Sequence, residues 1–264
     1  MEPIIQILAR ELDKSPEHVE NVVRLIDEGN TIPFIARYRK ELHGAMDDTA
    51  LRTLADRLQY LRNLDKRREE VKSAIEGQGK LTEELSAAID AAATLAEVED
   101  LYRPYKPKRR TRATVAREKG LEPLAALLYA QEKDGPAPEE AAGDYVDAGK
   151  GVESVEDALQ GAGDIIAEWI SDDADIRKGL RELVWRKGYL VSSAAAKEPE
   201  DTVYRLYYDF KSPLNRAMGH QVLAINRGER EEILKVSVEM DRETALIPIR
   251  RAVLRPGAPA MAFV

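Results

Sequence analysis

Leu51, Leu54, Leu58, Leu61, Leu64, Val71 and Ile75 recur at helical spacing while Arg, Lys, Asp and Glu fill the positions between them. An apolar stripe with a period near 3.6 predicts a single amphipathic helix of about 27 residues, roughly 40 Å long at 1.5 Å per residue. Such an element cannot bury its stripe alone, so its length sets the long dimension of whatever packs along it. Asp47, Asp48 and Thr49 offer its start a cap, and Gly77, Gln78 and Gly79 stop it. The charged middle, Asp65 to Glu70, reads as a solvated face.

The flanking segments read as helices as well. Ile4, Ile5, Ile7, Leu8 and Leu12 share one stripe, and Ser15, Pro16 and Glu17 form a helix start ahead of Val19, Val22, Val23 and Ile26. Residues 31–41, TIPFIARYRKE, predict a short helix with Arg37, Arg39 and Lys40 at its outer end. Two short helices and a third with basic residues give a helix-turn-helix outline, which packed helices in general share. Thr82 starts a further helix, and Thr94 with Glu97 is the reciprocal capping pattern. That pattern accounts for Glu97, Glu99 and Asp100 more simply than a metal site would. Leu124, Leu127 and Leu128 mark a helix over 121–131; KDGPAP at 133–138 is a loop, and 139–146 is a short helix. Ser154 caps a helix carrying Val155, Leu159, Ile165, Ile166, Trp169 and Ile170. Asp172 and Asp173 cap its successor, which ends at Gly188.

Beyond residue 188 the signals weaken. Tyr189 to Ser193 reads as a short strand or extended chain, and Thr202 to Phe210 as helix or strand. One short helix holds Val222, Leu223 and Ile225. Ile233 to Met240 alternates as a strand does, with Leu246 to Val253 as its candidate hairpin partner. The expected fold is mainly α: multi-helical with helix-turn-helix-like elements, one long helix near residues 49–76, and a little β near the carboxy terminus. The expected division is a helical domain at 1–132 and a second helical region at 133–264.

Chemistry is bounded by what the chain carries. Its 264 residues contain no cysteine and three histidines, His18, His43 and His220, widely separated in sequence. Disulfides, thiolate nucleophiles and cysteine-bound zinc are excluded. P-loop, paired-histidine metal and dinucleotide-binding words are absent. No apolar run reaches the roughly 18 residues of a membrane span, and the first residues carry acids where a secretory signal would be basic. The expectation is a cytoplasmic, non-enzymatic protein without cofactor, metal or membrane.

The net charge of −8 argues against polyanions, yet one stretch runs the other way. Residues 101–120, LYRPYKPKRRTRATVAREKG, place eight cations against the single acid Glu118. Pro104 and Pro107 keep the first half out of a helix, so an extended basic strap is expected rather than a basic helix. Local patches, not totals, steer polyanions. Arg103, Lys106, Lys108, Arg109, Arg110, Arg112 and Arg117 are the candidate phosphate contacts, with Tyr102 and Tyr105 as rings on which unpaired bases could stack. The alternative reading is a surface strap whose tyrosines pack on neighbouring helices and whose cations meet the chain's own acids.

TIPFIARYRKE at 31–41, QGKLT at 78–82, EDLYRPYKPKRRTRATVAREKGLEPLA at 99–125, GAGDIIAEWI at 161–170, YYDF at 207–210 and LAINRGEREE at 223–232 together resemble the bacterial Tex family of transcription accessory proteins. These are relatives of a eukaryotic transcription-elongation factor and histone chaperone. The likeness covers nearly the whole chain. It implies a helical amino-terminal region with helix-turn-helix elements, followed in the family by an RNase H-like domain, helix-hairpin-helix motifs and an S1-type RNA-binding barrel. Those later domains are expected to lie outside this chain. Two words depart from the family pattern: His43, Gly44 and Ala45 replace Thr-Gly-Gly, and Gly219, His220 and Gln221 replace Ser-His-Arg, which puts a phosphate contact at 221 in doubt. The resemblance implies RNA or DNA as partner in transcription or RNA metabolism. The alternative is a scaffold docking on RNA polymerase, the ribosome or the protein's own downstream domains.

Overall fold

The computed structural model describes residues 3–196 and 201–264. The chain packs as two compact units, Met1–Tyr105 and Lys106–Val264.

In the first unit the long helix is the spine. Helices α1 (Ile4–Leu12), α2 (Pro16–Asp27) and α3 (Ile32–Tyr38) pack on the first half of α4 (Asp48–Glu76), and α5 (Glu83–Ala91) and α6 (Leu95–Tyr102) pack on its second half. The stripe is buried as its spacing requires. Leu51, Leu54, Leu58 and Leu61 join Leu8, Val19, Val22 and Ile35 in one cluster; Leu64, Val71 and Ile75 join Ile89 and Val98 in another. Fork-to-fork pairs fasten the outside, Arg57 to Glu11 at 2.7 and 2.8 Å and Arg62 to Asp27 at 2.7 and 2.8 Å.

The expected caps form. Ser15, Asp47, Thr82 and Thr94 each accept the backbone N–H three residues on. At Thr94 the reciprocal bond is displaced by one residue, since Glu97 accepts from the Ala93 N–H at 2.6 Å. The charged middle of α4 is not uniformly solvated. Arg68 sits in the stripe between Leu64 and Val71 and is buried, donating to Asp65 and, at 2.7 Å, to the Ala92 carbonyl. A guanidinium can occupy that position because it satisfies the open carbonyl end of α5. His43 is also buried, and neither ring nitrogen has a hydrogen-bond partner among the described residues.

The second unit opens with a bend at Lys106 and chain without regular secondary structure at 107–111. Helices α7 (Arg112–Glu118), α8 (Glu122–Ala130), α9 (Pro138–Gly143) and α10 (Val155–Asp172) follow and enclose a core of Ala113, Ala116, Leu121, Leu124, Leu128, Ala158, Ala162 and Ile165. Leu127, expected on the inward face of α8, is 39% exposed. After α11 (Ala174–Lys187) come β1 (Tyr189–Ala194), β2 (Asp209–Pro213), α12 (Gly219–Arg230), β3 (Leu234–Glu239) and α13 (Arg242–Val253). The strands form one antiparallel sheet in the order β2-β1-β3, with Leu190 opposite both Ser212 and Val238.

The hairpin expected between 233–240 and 246–253 is therefore corrected. β3 pairs with β1, and 246–253 is helical because Asp241 caps α13, accepting the Thr244 N–H at 2.7 Å. Residues 202–210, open between helix and strand, are a 3-10 turn at Arg205–Tyr207 leading into β2. Gln131, at the left-handed end of α8, donates to the Val253 carbonyl and accepts from the Arg255 N–H, both at 2.9 Å, fixing the carboxy-terminal segment to the core.

Candidate nucleic-acid interface

The basic strap is built on α10. Ser154 starts that helix, as its sequence predicts, by accepting the Asp157 N–H at 3.2 Å. Asp164, Glu168 and Asp172 then fall at i, i+4 and i+8, one above another on a single face. α7 lies against α10 through small residues. A Cβ at Gly161 would stand 2.3 Å from Leu121 Cδ1 and 3.3 Å from Ala116 Cβ, so the approach depends on glycine.

The acidic ridge takes up the strap's cations. Lys108 Nζ bonds Asp172 and lies 3.3 Å from Glu168. Thr111, the cap of α7, accepts the Thr114 N–H and donates to Glu168 Oε2, each at 3.1 Å. Arg117 Nη1 meets Glu168 Oε1 at 2.7 Å, and its Nε lies 3.3 Å from Glu122. Glu168 thus ties both ends of 108–117 to one helix. Burial pushes the Glu168 carboxyl up, but hydrogen bonds from Arg117 and Lys108 and their charges outweigh it, and the pKa falls below the ordinary value. Burial likewise works against the Arg117 cation, and Glu168 together with Glu122 more than compensates.

The remaining cations face outward. Arg110 pairs with Glu118 at 2.9 Å and Arg112 with Asp164 at 3.4 Å, yet their side chains are 71% and 85% exposed. Arg109 is exposed and makes no ion pair among the described residues. Lys106 is exposed too. Arg110, Arg112 and Lys119 share the rim of a cavity of about 580 Å³ with Asp157 and Asp164, so its potential is mixed in sign.

Tyr102, Arg103 and Tyr105 belong to the first unit. Both rings are half-buried against the Leu64–Val71–Ile75 cluster, and the Arg67 guanidinium lies 5.5 Å from the Tyr102 ring centroid. Arg103 and Tyr105 form a 3-10 turn with Pro104 and not plain extended chain, and α7 makes the strap's second half helical.

The carboxylates were the part that sequence reading missed. Asp172, assigned to a helix start, ends α10 and holds Lys108, while Asp173 alone caps α11, accepting the Ile176 N–H at 2.8 Å. The four-residue spacing of 164, 168 and 172 was the available signal. Among the described residues no group of three His, Asp or Glu is placed to hold a metal, and no helix is long and apolar enough to cross a membrane.

Fold and site define a class: a mainly helical protein with a small antiparallel sheet and a strap of cations laid over an acidic helix. Residues 2–76 match the Tex-like protein N-terminal domain and residues 133–254 the Tex central region-like family. The chain belongs to the Tex family. It is 47% identical over 237 residues to Protein YhgF of Escherichia coli, covering 89% of this chain and 30% of that protein. It is 40% identical over 237 residues to the Transcriptional accessory protein Tex of Neisseria gonorrhoeae, covering 89% and 31%. It is 33% identical over 246 residues to the human S1 RNA-binding domain-containing protein 1, covering 90% and 24%. The chain spans about a third or less of the length of these relatives.

Proposed function

We propose that this chain is a non-enzymatic, nucleic-acid-associated helical module of a cytoplasmic transcription accessory protein, and that its strap meets phosphates of RNA or DNA. Family membership supports the transcription role, and the relative named for an S1 RNA-binding domain supports the nucleic acid. The observation that carries the reading is the division among the cations. Lys108 and Arg117 fasten the strap to Glu168 and Asp172, which leaves Arg109, Arg110 and Arg112 projecting into solvent. A polyanion meets side chains whose backbone is already ordered, so less conformational freedom is lost on binding.

Charge reversal of Arg109, Arg110 and Arg112 to glutamate, with Lys108 intact so that the strap stays docked, tests this. Three phosphate contacts on a single strand give a salt slope of about 2, against about 5 if all seven candidate cations were engaged. The triple variant is expected to lose that slope and at least about tenfold in affinity at low salt. Unchanged binding and slope would reject the assignment.

A second reading, docking on RNA polymerase, the ribosome or further domains of the same protein, is favoured by the carboxylates already paired with the strap, which lower its appeal to phosphate. Protection of residues 106–112 from exchange by such a partner, and not by nucleic acid, would select it.

A further inference from the structure

α11 carries a surface unlike the strap. None of its residues is fully buried, and Trp185 in its last turns is 58% exposed. Arg181, Glu182, Trp185 and Arg186 line a shallow cavity of about 540 Å³. Directly beyond, where the helix passes into β1, Arg186, Lys187, Tyr189, Asn215 and Arg216 line a second cavity of about 500 Å³. Tyr189 is 41% exposed, and Lys211 Nζ lies 4.9 Å from its ring centroid.

Three of the cations here, Arg186, Lys187 and Arg216, differ from Lys108, Arg110, Arg112 and Arg117 of the strap in having no acid to satisfy them, whereas Lys211 pairs with Glu239 at 3.2 Å. Arg186, Lys187 and Arg216 make no ion pair among the described residues, and Arg186 Nε donates only to the Glu182 carbonyl, at 3.3 Å. Asp241 is the carboxylate lining the second cavity. It is committed to the start of α13, accepting from the Thr244 N–H and hydroxyl at 2.7 and 2.6 Å. The negative end of the α11 dipole accounts for basic residues at 186 and 187. It accounts neither for Arg216, which arrives from the turn after β2, nor for an indole left in water.

We propose that the end of α11 and the adjoining sheet edge form a binding site for single-stranded nucleic acid, with a base stacked on Trp185 and neighbouring phosphates held by Arg186, Lys187 and Arg216. Flat rings alternating with uncompensated cations suit a strand whose bases are unpaired; a duplex hides the faces that Trp185 would cover. The site shares no residue with the strap and stands or falls separately.

The chain has two tryptophans, and Trp169 packs edge-on against Tyr129 at 5.7 Å, so Trp169→Phe leaves Trp185 as sole reporter. Titrating that variant with a 12-nucleotide oligouridylate at low salt is expected to quench Trp185 fluorescence. With a fluorescein-labelled oligouridylate, Trp185→Ala and the pair Arg186→Glu with Arg216→Glu are each expected to weaken binding about tenfold or more. Both retain their circular dichroism melts, because these side chains are exposed. Reversing Arg109, Arg110 and Arg112 leaves the Trp185 quench in place, which separates this site from the strap. Absence of quenching, or affinity unchanged in both Trp185→Ala and the Arg186/Arg216 variant, would overturn the proposal. Labelled poly-glutamate binding as tightly as the oligonucleotide would overturn it in favour of an acidic protein partner.

Discussion

Replacing Glu168 by alanine removes three interactions at once: the 2.7 Å bond from Arg117, the 3.3 Å contact with Lys108 and the 3.1 Å bond from Thr111. Breaking a fully buried ion pair costs about 3–5 kcal/mol. Here Glu168 is 14% exposed, but Lys108 and Arg117 are 27% and 29% exposed and keep Asp172 and Glu122. Discounted for that access and the remaining partners, the expected loss is about 2 kcal/mol. For a unit of this size that lowers the melting temperature by about 4–8 °C. Glu118→Ala is the control. Its partner Arg110 is 71% exposed, and the expected cost is at most about 1 kcal/mol. Thermal melts followed by Trp169 fluorescence in a Trp185→Phe background read the second unit, since Trp169 neighbours Glu168 on α10. Hydrogen exchange at 108–111 should rise in Glu168→Ala and not in Glu118→Ala. If the two variants melted within about 1 °C of each other, or if 1 M NaCl abolished the difference, the strap would not be anchored as argued.

Part of the acid limb of stability follows from the same carboxylate. The folded Glu168 pKa lies below the ordinary 4.5, so its stabilisation is present above that value and is lost as pH falls through the lower folded pKa. Melts from pH 6 to 3 should show that limb, and Glu168→Gln should make it shallower while Asp147, Glu231 and Asp241, whose pKa values are also lowered, keep part of it. Two glycines in helices should respond oppositely to alanine. Gly179→Ala meets nothing within 4 Å and should stabilise by about 0.5–1 kcal/mol, whereas Gly161→Ala presses on buried Leu121 and should destabilise by about 1 kcal/mol or more, both by urea denaturation. His43→Leu removes two buried ring nitrogens without partners and should stabilise the first unit by about 1–2 kcal/mol in the same assay; a loss of stability would show that the imidazole is satisfied after all.

What the sequence made legible was local. Ser15, Asp47, Thr82, Thr94, Ser154 and Asp173 act as caps because a cap is decided by a side chain and an N–H three residues away. The stripe of α4 was readable for the same reason, since a period needs only its own helix. Failures came where the deciding partner lies far along the chain. β1 is the central strand and takes β3 from 40 to 50 residues away, so adjacency offered 246–253 as a false partner. Asp172 looked like a cap beside Asp173 until Lys108, 64 residues earlier, occupied it. Arg68 looked solvated because its charged neighbours are, while the Ala92 carbonyl that draws it inward belongs to the end of another helix.

That same non-locality bears on how a run of cations should be weighed. Density along a sequence measures charge before folding; availability to a ligand is what remains after the chain's own acids have been met. By the first measure 101–120 dominates this protein. By the second, Lys108 and Arg117 are committed to Glu168, Arg110 and Arg112 are shared with Glu118 and Asp164, and Arg109 remains without an ion pair among the described residues. Arg186, Lys187 and Arg216 attract no notice in sequence, being split between a helix end and a distant turn, yet the fold brings them to one cavity beside an exposed indole with no ion pair to any of them. A bound phosphate competes with a carboxylate at Lys108, Arg110, Arg112 and Arg117 and with none at Arg186, Lys187 and Arg216, so at equal salt each of these α11-edge cations should contribute more affinity than each of those four strap cations.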